Sequence, residues 1–252
     1  MWSSYTLPKY DSTKKAKLKH IENKKKLVEM CYNDSNSNYC EYVYMKHIRN
    51  SLLTEGTRIS EDATRVIMSR LMPNSIGYND FMECNNLARA VEYVNSLVGQ
   101  GKMLDYQELL NIHYILSSGL KDPRYCGKIR DCRNFIGTNY QTAQINQIDK
   151  LIRGLFETIS KIDNPIVKAA YFSYNLVSIH PFIDYNGRLS RLCESYILMS
   201  YGYPIIYLEE KDISDYMKII RTGQENADSV NWKYIDLVMN KVNERLDEML
   251  GT

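Results

Sequence analysis

The chain has 252 residues, with 32 Lys and Arg against 30 Asp and Glu, and its formal charge of +2 is too balanced for a nucleic-acid binder. That length can bury a substantial core, and no Pro/Gly/Ser-rich linker divides it, so one elaborated domain over 1–252 is expected. No run of about 18 apolar residues occurs, and the opening MWSSYTLPKY has no charged segment leading into an apolar one, so neither a membrane span nor a signal peptide is expected. A cytoplasmic protein is the expectation, with secretion by a signal-less route left open. Cys31, Cys40, Cys84, Cys126, Cys132 and Cys193 are scattered without C-x-x-C spacing, which fits reduced thiols. His20, His47 and His113 lie far apart and form no pair at helical spacing, so zinc is not expected and these histidines read as structural or exposed.

Taken in chain order, the pattern is mainly α. Segments 12–32 and 41–55 read as helices, the second stopped by Gly56, and 61–72 reads as a third that stops at Pro73. Lys14, Lys15, Lys17, Lys19, Lys24, Lys25 and Lys26 make the first of these basic, either as a solvated helix face or as a docking surface for an acidic partner. Segment 80–97 places Phe81, Leu87, Val91, Val94 and Leu97 near helical spacing and ends at Gly99. A helix over 105–117 follows. Segment 128–143 breaks the pattern: Ile129, Phe135, Ile136, Thr138, Tyr140 and Thr142 around Gly137 suit a short hairpin. Helices over 145–162, 166–178, 189–201, 214–226 and 232–250 complete the set. Within the single domain, the expected parts are an N-terminal helical region at 1–78, a catalytic core at 79–205 and C-terminal helices at 206–252.

The chemistry concentrates in His180, Pro181, Phe182, Ile183, Asp184, Tyr185, Asn186, Gly187, Arg188, Leu189, Ser190 and Arg191. This stretch joins two helical runs, so HPFIDYN reads as a loop aimed into a helix N-terminus. There the first N–H groups have no acceptor inside the helix and the dipole is positive, so amides near Asn186, Gly187 and Arg188 can hold phosphate oxygens. Gly187 lets a ligand approach the backbone. Arg188 and Arg191 are neighbours on one helix face and place two fixed cations where a triphosphate would continue. His180, with a reference pKa of about 6.5, suits a general base. Asp184 is a hard oxygen ligand, and a single carboxylate among phosphates suits Mg²⁺ better than Ca²⁺ or Zn²⁺, with Mn²⁺ as an alternative. Phe182 reads as the inward anchor of the loop.

These residues resemble the Fic family signature H-x-F-x-(D/E)-G-N-G-R-x-x-R, matched at every fixed position except Tyr185, which stands where the family has its first glycine. Ser51, Leu52, Leu53, Thr54, Glu55 and Gly56 resemble the inhibitory motif (S/T)-x-x-x-E-(G/N) of some members; Ser51 and Glu55 share a helix face, and Gly56 suits the position just past its end. Glu83, Asn86 and Ala90 resemble positions of the first core helix, and Gly127 with Arg130 the start of the family's β-hairpin flap. The likeness extends roughly over 45–235.

The resemblance implies a compact helical fold with a flap near 128–143 and a definite reaction: transfer of AMP from ATP to a Ser, Thr or Tyr hydroxyl of a protein, with pyrophosphate leaving. It implies ATP and an unidentified target protein as partners, with self-modification and homodimerisation both open. In the family the flap holds the target as an added strand, which makes Phe135, Ile136, Gly137, Thr138, Asn139 and Tyr140 candidates for that contact, the alternative being a hairpin that only covers the core. Glu55 beside Arg191 would pair with the guanidinium meant for the γ-phosphate, restraining the enzyme; alternatively it would position a water that removes AMP. Tyr185 adds further readings. A ring there would stack on the nucleotide, change the transferred group, or mark a module that binds nucleotide without using it.

Overall fold

The computed structural model describes residues 5–31, 37–136 and 140–251. Among them are ten α-helices: α1 (Ser12–Cys31), α2 (Ser37–Thr54), α3 (Glu61–Met68), α4 (Tyr78–Gly99), α5 (Tyr106–Ser117), α6 (Ile148–Ser160), α7 (Pro165–Ile179), α8 (Asn186–Ser200), α9 (Ile213–Glu225) and α10 (Trp232–Leu250). The two strands β1 (Phe135–Ile136) and β2 (Tyr140–Gln141) pair antiparallel, Ile136 opposite Tyr140. The mainly α expectation holds. The hairpin ladder is much shorter than 128–143, and Gly137, Thr138 and Asn139 lie outside the described residues.

The centre of the fold is α7. Asn164 caps it by accepting from the N–H groups of Ile166 and Val167, and Pro165 occupies its first turn, where no N–H is needed. Nearly every side chain along it is buried, including Tyr171, Phe172 and Leu176, because α6, α8 and α10 pack around it. Full burial of each such side chain contributes about 1.5–3 kcal/mol. Helix α8 lies against α7 on one side and against α4, α5 and α2 on others, so the loop between α7 and α8 opens between well-packed elements.

Two of the helix ends that differ from the sequence expectation do so for one reason. Helix α3 stops at Met68 because Arg70 takes a left-handed conformation (φ 65°), with its N–H bonded to Ile67 O and that of Leu71 to Val66 O. Helix α8 begins at Asn186, three positions before 189, because Tyr185 also turns left-handed (φ 64°). Neither residue is the Gly or Asn that signals such a turn.

Helix α2 is built into the core. Met45, Ile48 and Leu52 are fully buried, the His47 ring bonds to Ile206 O at 2.7 Å, and the Asn50 amide donates to Leu208 O at 2.8 Å. It ends in a tight turn: Gly56 (φ 95°) donates to Leu53 O and Thr57 to Leu52 O, closing the last carbonyls and leaving Glu55 at the helix end. The basic helix α1 packs on α10. Five of its seven lysines face carboxylates of this chain: Lys14 with Asp11, Lys17 with Asp236, Lys24 with Asp247, Lys25 with Glu29 and Lys26 with Glu22. That pairing favours the solvated-face reading. No described helix is long and apolar enough to cross a membrane, and all six cysteines are free thiols.

Candidate functional site

The loop from 180 to 185 is bracketed by two left-handed residues, His180 (φ 54°) and Tyr185 (φ 64°). Each costs roughly 1–2 kcal/mol in a non-glycine residue, so surrounding contacts must hold them. They do so from both sides. Arg130, buried at the foot of the hairpin, donates from Nε to His180 O (2.8 Å) and from its two Nη atoms to Cys132 O, Thr142 Oγ1 and Ala143 O. Asn134 donates to Ile183 O at 3.1 Å. From below, the Phe182 ring is fully buried and stacks on His113, centroids 3.7 Å apart.

His113 was expected to be structural or exposed; it is buried and belongs to the site's support. Its Nδ1 accepts from the Gly127 N–H (3.0 Å), which leaves Nε2 to donate to Asp184 O (3.2 Å). That arrangement needs the neutral ring, and burial pushes its pKa down to about 4.

The Asn186 side chain turns into the loop. Its amide oxygen accepts from Phe182 N–H (3.0 Å) and its amide nitrogen donates to Phe182 O (2.9 Å), so the side chain closes the loop on itself. What faces outward from the start of α8 is backbone: no side chain caps this helix, and the N–H groups of Asn186, Gly187 and Arg188 have no acceptor within it.

His180 keeps its ring at the rim of the loop. Nδ1 lies 3.1 Å from Val177 O, a contact that requires a proton on Nδ1 and leaves the lone pair on Nε2. Burial, and to a lesser degree the charge of Arg130, lowers its pKa below the usual histidine value, so the ring is neutral at pH 7.

Each arginine of the signature has its own carboxylate, and in this they part company. Arg188, 5% exposed, has Nη1 3.1 Å from Glu83 Oε2 and its guanidinium 4.1 Å above the Tyr185 ring. The Glu83 contact is charge proximity without aligned hydrogen bonding: Nε and Nη1 are buried donors with no acceptor among the described residues. Arg191 is fully engaged. It donates from Nε to Ser51 Oγ (3.0 Å), from Nη2 to Ser51 O (2.9 Å) and Glu55 Oε1 (2.6 Å), and from Nη1 to Tyr216 OH (3.3 Å).

The Glu55 carboxylate therefore hangs over the first turn of α8. A Cβ built on Gly187 would come 2.3 Å from Glu55 Oε1 and 3.2 Å from Arg191 Nη1. No side chain could occupy position 187 without driving the carboxylate away.

Asp184 stands beside this cradle, half-buried. Oδ1 accepts from the N–H of Tyr185 (2.7 Å), and Oδ2 lies 2.8 Å from Lys121 Nζ. Burial raises its pKa, but the Lys121 and backbone hydrogen bonds outweigh this and hold it below the usual carboxylate value. No group of three metal-ligating side chains occurs among the described residues, so a metal at Asp184 would have at most one further such ligand. A donor set of that kind fits a cation completed by phosphate and water, as Mg²⁺ or Mn²⁺ is. Arg188's orphaned donors and the bare helix N-terminus suit anionic oxygens.

The Tyr185 ring, expected near a nucleotide, is 4% exposed and covered by Arg188 and Lys121, so its contacts are with protein. Lys121, Tyr216 and His113 were missed by sequence reasoning, which had no local pattern to find them by. Glu83 was noticed only as a framework position; it also accepts from Thr57 Oγ1 (2.8 Å), tying the end of α2 to Arg188.

Residues 103–198 match the family model described as the Fic/DOC family. Curated relatives named protein adenylyltransferase Fic include one from Drosophila persimilis, 28% identical over 186 residues, covering 72% of this chain and 36% of that protein. One from Nematostella vectensis is 30% identical over 184 residues, covering 70% of this chain and 42% of that protein. The chain thus spans well under half the length of the curated relatives it matches. Among solved structures, a Fic domain-containing signaling protein from Bacteroides thetaiotaomicron superposes with a TM-score of 0.81 at 18% identity, covering 92% of this chain and 96% of that one. Fic-1 from C. elegans gives a TM-score of 0.80 at 18% identity, covering 94% and 72%. The helices that frame the loop, and the loop itself, fall within the stretch that matches the Fic/DOC family model, and the surrounding fold is that of the solved Fic-domain structures.

Proposed function

We propose that the site transfers AMP from ATP to a hydroxyl side chain of a protein, and that Glu55 restrains it. One observation carries the reading. A carboxylate of this chain lies over Gly187, gripped by Arg191 at 2.6 Å, against the bare N-terminus of α8. An internal anion in that place marks the cradle as one built for an anion, and the neutral His180 beside it supplies a base.

In the proposed reaction, His180 Nε2 takes the proton of the incoming hydroxyl as its oxygen attacks the α-phosphorus. The bond from that phosphorus to the bridging oxygen breaks and pyrophosphate leaves. The first-turn amides of α8 and Arg188 offset phosphate charge, and Arg191 receives the terminal phosphate once Glu55 withdraws. Asp184 would hold Mg²⁺ or Mn²⁺, which when bound neutralises phosphate charge. The hairpin would present the target backbone alongside β1 and β2, with the protein itself among the targets. Free thiols suit a reducing cytoplasm. Tyr185 supports the transferase reading over an inert nucleotide binder, because it adopts a left-handed turn of the kind glycine takes readily and buries its ring in the protein.

The test is incubation of wild type, Glu55→Gly and Glu55→Gly/His180→Ala with Mg²⁺ and ATP labelled at the α- or γ-phosphate. Label from the α position alone, strong in Glu55→Gly and absent in the double variant, is the expected result. Label from γ would mean phosphotransfer, and no label despite ATP binding would mean a module without turnover.

A further inference from the structure

The carboxylate assigned to the metal already holds a cation of the protein's own. Lys121 Nζ lies 2.8 Å from Asp184 Oδ2, while the other carboxylate oxygen accepts from the N–H of Tyr185 and has Arg188 Nη2 more distant, at 3.9 Å. The lysine does not reach there from a loose strand. Its backbone N–H and that of Leu120 both bond to Ser117 O, closing a turn at the end of α5, and the Asn86 amide pins the same turn through Leu116 O and Ser118 O. Its ammonium also sits 5.8 Å from the centroid of the Tyr185 ring, the same ring that carries the Arg188 guanidinium at 4.1 Å. A glycine at position 185 could offer no such ring. The one departure from the family signature therefore coincides with an aromatic platform bearing two cations.

We infer that Lys121 is an internal counter-cation for Asp184, braced on Tyr185, which a divalent ion must displace to bind. The inference rests on the reading of Asp184 as the metal ligand. Its consequence is that the free ion binds the empty site poorly, whereas metal arriving with phosphates brings the anions to which the released ammonium can turn. Lys121 is thus a positioning residue that couples metal binding to nucleotide binding. Both partners are partly exposed, at 38% and 43%, so the ammonium can leave, and the pair's worth is that of a modest ion pair reinforced by a ring face.

The experiment is a titration with Mn²⁺ alone, at fixed ionic strength and without nucleotide. Binding is read from paramagnetic broadening of the Tyr185 and Arg188 backbone amide resonances in wild type, Lys121→Met, Lys121→Arg, Lys128→Met and Asp184→Asn. Lys121 is exposed and its replacement leaves the core intact. The expected result is Mn²⁺ affinity about two- to tenfold tighter in Lys121→Met, close to wild type in Lys121→Arg, which restores the charge, and unchanged in Lys128→Met, which removes the same charge from an exposed position further along the loop. Broadening should be lost in Asp184→Asn. Equal affinities in wild type and Lys121→Met, with loss in Asp184→Asn, would overturn the counter-cation and leave the metal ligand standing. Equal tightening in Lys128→Met would reduce Lys121 to a general field effect and overturn it too. Unaltered broadening in Asp184→Asn would remove the metal ligand itself and the inference with it.

Discussion

Replacing Glu55 by Gly takes away one carboxylate and alters no residue of the loop or of α8. Two quantities change. Arg191 loses a charge-assisted hydrogen bond of 2.6 Å, a class worth about 1.5–3 kcal/mol. The space above Gly187 loses a negative charge that would stand near any phosphate placed there; two unit charges 4 Å apart repel by about 4 kcal/mol at an effective dielectric constant of 20. Glu55 is 33% exposed, so solvent screens both effects, and a net gain of about 1.5–3 kcal/mol in ATP binding is the reasonable sum. At about 1.4 kcal/mol per tenfold, this is a 10- to 100-fold tighter Kd. The assay is calorimetric titration of ATP with Mg²⁺ into His180→Ala and into Glu55→Gly/His180→Ala, where no turnover complicates the heat. Glu55→Gln in the same background should fall between them, since it keeps an acceptor for Arg191 and drops the charge. If ATP affinity agrees within twofold across the three proteins while all remain folded, the carboxylate is not a competitor for phosphate and the proposed restraint is refuted.

Replacing His180 by Ala should lower transfer about 10²- to 10⁴-fold with ATP affinity retained, measured as label transferred under saturating ATP. Because the folded environment lowers the pKa of His180, transfer by the Glu55→Gly enzyme should hold as pH falls through 6.5 and reach its half-value below it; a midpoint above 6.5 would contradict the buried, neutral base. Tyr185→Gly relieves the left-handed strain but empties a buried ring site, so urea unfolding should show a net loss of about 2–3 kcal/mol. His47 and His113 are both held near a pKa of about 4, so the unfolded chain binds protons that the folded one refuses. Their stabilisation is complete above about pH 6.5 and is lost as pH falls toward 4, at a cost of about 3 kcal/mol for each ring, and His113→Gln should roughly halve that dependence in urea titrations between those pH values.

The candidate site loop was legible because its residues are local: His180, Asp184, the bare helix start and both arginines fall between His180 and Arg191. The helices were legible for the same reason, with apolar spacing, Pro165 and Gly56 marking elements and ends. What escaped depends on residues brought together from afar. Lys121 on Asp184, Tyr216 on Arg191 and His113 beneath Phe182 are separated from their partners by long stretches of chain, and nothing in their own neighbourhoods announces a role. The inward turn of the Asn186 side chain also depends on fit within the loop, since its amide matches both backbone groups of Phe182. The left-handed turns at Arg70 and His180 were hidden because the usual indicator is glycine or asparagine, while here surrounding contacts hold residues with little preference for that conformation.

Helix α2 cannot swing away from the body of the protein, since Met45, Ile48 and Leu52 are core residues and His47 and Asn50 are bonded to the segment that leads into α9. On the proposed reading, then, withdrawal of the Glu55 carboxylate is a matter of side-chain rotation and adjustment in a single terminal turn, motions of picoseconds to microseconds. A restraint that fast keeps no memory. Progress curves should start without a lag, dilution should leave no hysteresis, and the working fraction of molecules at any instant should follow the nucleotide concentration of that instant.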